Sequence, residues 1–159
     1  MTKSSAIVAL TCWLAAVGCG GGGTTPTAGQ SVAAFQLTAS PQPIVSAVCP
    51  PSHCGSLAGQ LEIEGTMTIR ETAGVAATVS RLALTLRRRS DNAAIAATDV
   101  VGASAPIRVA AGGSTSVPIA MHFDAVASES NMKGVVALDA VDANGHQVTA
   151  SMEIEVRAP

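Results

Sequence analysis

A chain of 159 residues has room for one domain once an N-terminal segment is set aside. Its formal charge of -2 offers no basic face to a phosphate backbone, so nucleic acid is not an expected partner. Charged residues make up only 13%, which excludes a chain kept disordered by charge, and there is no Tyr. With Trp13 inside the N-terminal apolar run, only Phe35 and Phe123 remain as aromatic residues beyond it. The core must therefore be built from small aliphatic side chains, and binding of sugars by ring stacking is not expected.

Met1 to Lys3 carry one positive side chain, and Ala6 to Val17 follow as an apolar run of roughly a dozen residues, signal-peptide length and too short to span a bilayer. The run ends in Ala16-Val17-Gly18-Cys19. This segment resembles the bacterial lipobox, in which small residues precede a Cys that receives a diacylglyceryl group before cleavage. Ala16 stands where Leu is commonest. Cys12 fits less well, because Thr11 is bulky for the position before cleavage. The resemblance implies a signal peptide over 1–18, lipidation at Cys19, and attachment to the membrane through that lipid. Ordinary secretory cleavage after Gly18 is the alternative, and would leave a soluble secreted or periplasmic protein.

Gly20 to Gly23 and Thr24-Thr25-Pro26-Thr27 have nothing apolar to dock, so 19–30 reads as a flexible tether. Gly20 is not the acidic residue that retains some lipoproteins at the inner membrane. An outer-membrane destination in the cell envelope is therefore favoured for a Gram-negative source. With Cys12 removed and Cys19 acylated, Cys49 and Cys54 remain as an even pair in an oxidising compartment, and a disulfide between them is expected.

From about Ser31 the sequence alternates with period two, the signature of strands with one buried face. Leu61, Ile63, Met67 and Ile69 alternate with Glu62, Glu64, Thr66 and Thr68, and Leu82, Leu84 and Leu86 with Arg81, Thr85 and Arg87. The pattern returns at Val117 to Phe123 and at Val148 to Val156. Weaker strands are expected at Ala33 to Ala39, Ile44 to Val48, Ala93 to Val101, Ile107 to Ala110 and Val135 to Val141. Turn residues separate them: Pro41 and Pro43, Pro50-Pro51, Gly74, Asp91-Asn92, Gly112-Gly113 and Asn144-Gly145. No segment carries a helical stripe of useful length. Seven to nine short strands predict an all-β, antiparallel sandwich over 31–159.

The closing hairpin, Gly134 to Gly145 running into Val148 to Val156, resembles the last two strands of bacterial immunoglobulin-like and fibronectin-III-like surface domains. The strands Leu61 to Glu71 and Val75 to Arg88, hinged at Gly74, are similar to their early strands. The likeness covers most of residues 31–159. It departs from antibody-type domains in lacking their inter-sheet Cys pair, buried Trp and tyrosine corner.

Cys49-Pro50-Pro51-Ser52-His53-Cys54 is the most distinctive segment. As a metal site it lacks a second ligand motif elsewhere, and as a redox centre it lacks the two-residue spacing and helix N-terminus that activate a thiol. It reads as a disulfide pinching a proline-rich loop. Asp139, Asp142 and Asn144 ahead of Gly145 offer oxygen donors without the distal Glu of a calcium loop, so they read as a hairpin turn. Met121 and Met152 fall on apolar faces and read as core, which weakens a soft-metal set with His122, Met132 and His146. Arg87-Arg88-Arg89 reads as a solvated strand end. No nucleophile elbow, phosphate loop or zinc-protease helix is present, so no catalytic residue, metal site or cofactor is assigned.

The expected function is a non-catalytic, lipid-anchored envelope module that binds an unidentified envelope protein through sheet edges or loops. The alternatives are a periplasmic metal-binding or metal-delivery protein, and a small inhibitor inserting the loop 49–54.

Overall fold

The computed structural model describes residues 31–57, 59–102, 105–124 and 132–159. The expected signal segment, Cys12, Cys19 and the tether lie outside them. The described residues form an all-β fold of two sheets with a single turn of α-helix.

The first sheet is centred on β4 (Leu61–Glu71). β8 (Ser114–Phe123) runs antiparallel along one side of it, from Leu61↔Phe123 to Arg70↔Ser114. The other side is shared by β1 (Phe35–Ser40) and the two-residue β3 (Ala47–Val48). The second sheet holds β2 (Ile44–Val45), β10 (Gln147–Arg157), β9 (Met132–Asp142), β5 (Ala77–Arg88) and β6 (Ala94–Val101) in that order, and β7 (Ile107–Val109) also pairs with β5. The strand expected at Ile44 to Val48 is thus divided between the sheets. Ile44 and Val45 pair parallel with Val156 and Arg157, while Ala47 and Val48 pair with Glu62 and Leu61. Pro41 and Pro43 stand at this crossing, both after cis peptide bonds. Proline has no N–H for a ladder, so β1 cannot simply continue.

One apolar cluster joins the inner faces of both sheets. Ile63, Met67 and Ile69 of β4 meet Leu82, Leu84 and Leu138 of the second sheet, each at most 1% exposed. The alternation at Leu82, Leu84 and Leu86 holds, all three being buried, and the phase shifts only upstream of them. Val79 and Leu82 are both buried although three residues apart, because a bulge between Val79 and Arg81 inserts Ser80. In β10 the inner face is fully buried only at Ile154 and Val156, towards its C-terminal end.

The closing hairpin is as expected, with β9 and β10 paired from Val141↔Gln147 to Met132↔Val156 and Gly145 at φ +85 in the turn. β4 and β5 fall in different sheets, so the residues around Gly74 carry the chain across the core. Among the described residues no helix is long and apolar enough to cross a membrane.

Candidate functional site

The ladder between β3 and β4 continues one step beyond its strands, where Cys49 N–H donates to Gln60 O at 2.9 Å and Gly59 N–H donates to Cys49 O at 3.1 Å. These bonds close the mouth of the segment between Cys49 and Gln60. Inside it, Pro50 and Pro51 start a single helical turn, α1 (Pro51–Cys54), and a 3-10 turn follows over Gly55–Leu57. Proline suits the first helical position because its missing N–H has no partner to lose there. The expectation of a plain loop is corrected in this respect, since four residues are too few to show a helical period.

Period two fixes what this excursion covers. Ile63 and Met121 face the core, so Glu62 and His122, which are partners in register, face outward. Ala47 pairs with Glu62 from the other side, which puts Cys49, two residues later, on the same outer face. The excursion folds back over this row. Glu62, expected on the wet face, is consequently only 8% exposed, and Cys49 is 1% exposed.

Glu62 is the centre of the resulting cluster. Its Oε1 lies 3.1 Å from His122 Nε2, and its Oε2 lies 3.2 Å from Cys49 Sγ and 3.8 Å from Cys54 Sγ. Cys54 Sγ is in turn 3.5 Å from His122 Nε2. His53, on the helical turn, brings Nε2 to 3.8 Å from Glu62 and 3.6 Å from Glu64, forming an exposed rim. Donor atoms of Cys49, Cys54, Glu62 and His122 all lie within 4.8 Å of one another, and His53, Glu62 and Glu64 form a second such group. Reasoning from the sequence placed the two Cys together, but it set Glu62 on a wet face and named His122 only in a soft-metal set with Met121, Met132, His146 and Met152. The register of Glu62 with His122 across the sheet is the missing signal.

Cys49 and Cys54 are at disulfide distance, with Cα atoms 5.9 Å apart. A bridge closing so short a loop constrains little of the unfolded chain. Replacing both residues by Ser is therefore expected to lower unfolding free energy by about 1–3 kcal/mol in denaturant titrations and to leave the β spectrum intact. An undiminished midpoint, or free thiols in peptides mapped without reduction from exported protein, would remove the clasp.

The other singled-out groups lie elsewhere. His146 Nδ1 is 2.9 Å from Asp142 Oδ2, and the Asp142 carboxylate also accepts the backbone N–H groups of Ala33, Asn144 and His146. Burial pushes the Asp142 carboxyl up, but those amides and His146 outweigh it and hold it at about 2. It anchors the hairpin. In the basic cluster, Arg88 pairs with Asp91 at 2.9 Å and Arg89 Nε donates to Met132 O at 3.1 Å.

No protein-family model matches the chain, and no curated protein matches it. Solved structures do. A Bordetella pertussis protein described as the putative ApaA protein superposes with a TM-score of 0.54 at 12% identity, covering 79% of this chain and 96% of that one. The structural-genomics target SoR45 superposes with a TM-score of 0.51 at 8% identity, covering 78% and 86%. The likeness is one of fold. At these identities it carries no activity or ligand across.

Proposed function

We propose that this protein is a non-catalytic, lipid-anchored module of the bacterial cell envelope, whose immunoglobulin-like sandwich holds the Cys49–Cys54 loop away from the membrane for contact with another envelope protein. The strand order supports the finer fold assignment: β1-β4-β8 opposite β2-β10-β9-β5-β6, with the last two strands in one hairpin.

The observation that carries the reading is the position of the loop relative to the chain's entry into the domain. Ala33 and Ala34 are pinned by the Asp142 and Glu71 carboxylates, at the far end of β4 from Glu62. At about 3.3 Å per residue, that strand separates the two ends by about 30 Å. A tether joined at Ser31 therefore leaves the loop at the distal end, beside exposed Val48 and Leu57. The buried carboxylates Glu71 and Asp142 accept backbone amides and fix the end of the domain at which the chain enters.

The test is metabolic labelling with a palmitate analogue. The parent chain is expected to be labelled and to fractionate with membranes, and the Cys19→Ser variant to be neither. Equal labelling of the two would overturn the anchor.

A further inference from the structure

On the outer face of the first sheet two sulfurs, an imidazole and a buried carboxylate lie in contact, although a disulfide clasp needs only the sulfurs. We propose that, with Cys49 and Cys54 reduced, the domain binds one Zn2+ through Cys49 Sγ, Cys54 Sγ, His122 Nε2 and a carboxylate oxygen of Glu62. The inference goes beyond the anchoring role and does not depend on it.

Distances carry the argument. Tetrahedral zinc, with bonds of about 2.3 Å to sulfur and about 2.0–2.2 Å to nitrogen or oxygen, holds its ligands about 3.3–3.8 Å apart. The separations here are 3.5 Å for Cys54 Sγ–His122 Nε2, 3.1 Å for His122 Nε2–Glu62 Oε1, 3.2 Å for Cys49 Sγ–Glu62 Oε2 and 3.8 Å for Cys54 Sγ–Glu62 Oε2, the two carboxylate oxygens dividing the contacts between the imidazole and the sulfurs. These four fall at or within a few tenths of an ångström of that range. All four donor atoms lie within 4.8 Å of one another, and with the bridge reduced the Cα atoms, 5.9 Å apart, let the two sulfurs separate by side-chain rotation.

Charge and donor type point the same way. Binding displaces the two thiol protons to solvent and gathers two thiolates and a carboxylate, two of the three on residues under 9% exposed, around a divalent cation that offsets their charge. Hard cations such as Ca2+ need six or more oxygens, whereas thiolate with imidazole selects a borderline ion of zinc type. The exposed rim of His53 and Glu64 gives an entry path, and β4 and β8 fix Glu62 and His122 in register. A disulfide offers no thiolate, so the oxidised clasp and the loaded site are alternative states of one pair.

Cobalt reports this geometry directly. The full-length chain carrying Cys12→Ser and Cys19→Ser retains only Cys49 and Cys54 as thiols. It is to be reduced with a phosphine and titrated with Co2+, then with Zn2+. One equivalent of Co2+ should produce a thiolate charge-transfer band with the strong visible bands of tetrahedral cobalt, and one equivalent of Zn2+ should remove them. Cys49→Ser should reduce the charge-transfer band by about twofold or more, and Cys49→Ser with Cys54→Ser should abolish it. His122→Ala and Glu62→Gln should each weaken Zn2+ binding by about tenfold or more, while His146→Ala should not. The unreduced, bridged protein should bind none. Circular dichroism establishes folding of each variant, and His122→Gln replaces His122→Ala if the latter unfolds. Failure of folded, reduced protein to bind one equivalent would overturn the proposal, as would binding indifferent to both His122 variants. Either result leaves the acyl-labelling test of the anchor untouched.

Discussion

Glu71→Gln is expected to lower the melting temperature of the domain by roughly 10 °C at neutral pH and to flatten its acid denaturation. Glu71 is fully buried at the end of β4, where its carboxylate accepts the N–H groups of Ala34, Ala73, Gly74 and Gly112 at 3.3, 2.7, 2.9 and 2.7 Å. It thereby ties the entry of β1, the crossing from β4 to β5, and the turn before β8. Gln keeps the shape but directs an NH2 group at amides that are themselves donors, and it loses the charge that strengthens such bonds.

The pH dependence follows from the same contacts. Burial raises the Glu71 carboxyl, but the amides outweigh it and bring it from 4.5 down to about 2. A carboxyl with a depressed folded pKa stabilises fully above its unfolded value and loses that contribution as pH falls through the folded one. Parent stability should therefore decline from about pH 5 to pH 2, with Asp142 contributing in the same window. The Gln variant should start lower and lose less. A thermal series across this range decides the matter: parallel curves for the two proteins would show that Glu71 is not a linked group.

Much of this architecture was legible from alternation alone. Leu82, Leu84 and Leu86, or Leu61 with Ile63 and Met67 with Ile69 on either side of Gly65, announce one face of a strand because a helix does not space apolar residues by two. Alternation does not reveal what lies over the other face. Glu62 and Glu64 are the same residue type in the same phase of β4, yet the excursion after Cys49 covers the first and leaves the second exposed. Glu71 was illegible for a related reason. A carboxylate reads as solvated unless one knows that four loop amides converge on it.

The candidate site shows the same limit at longer range. Cys49 and Cys54 are visible as a pair because they are near in sequence. Glu62 and His122 become neighbours only through the register of β4 with β8, set by the whole ladder from Leu61↔Phe123 to Arg70↔Ser114. The hexapeptide 49–54 by itself supports a clasp and no metal. The sheet supplies the second pair of donors, Glu62 and His122, and of the soft-metal set read from the sequence only His122 belongs to the cluster. His146 and Met121 are excluded from it, one by Asp142 and the other by the core.

The second large effect concerns packing in the hairpin that the sequence made most legible. Gly134 lies on the inner face of β9, in register between Ile154 of β10 and Leu86 of β5. It has no left-handed φ, so conformational freedom is not its role. Space is. A Cβ there would collide with the Ile154 side chain, meeting Cδ1 at 2.7 Å, and would press on Leu84 Cδ1 at 3.2 Å. Gly134→Ala should therefore cost about 1–3 kcal/mol by overpacking. Ile154, 1% exposed, is the residue that fills the gap, and Ile154→Ala should cost roughly 2–5 kcal/mol by opening a cavity beside the glycine. In the double variant the new methyl enters that cavity instead of a filled site. Its loss should fall short of the sum of the single losses by on the order of 1 kcal/mol or more. Denaturant unfolding of the four proteins measures the coupling. Strict additivity would mean that Ile154 does not occupy the space the glycine leaves, and that the contact between β9 and β10 at this level is looser than their register implies.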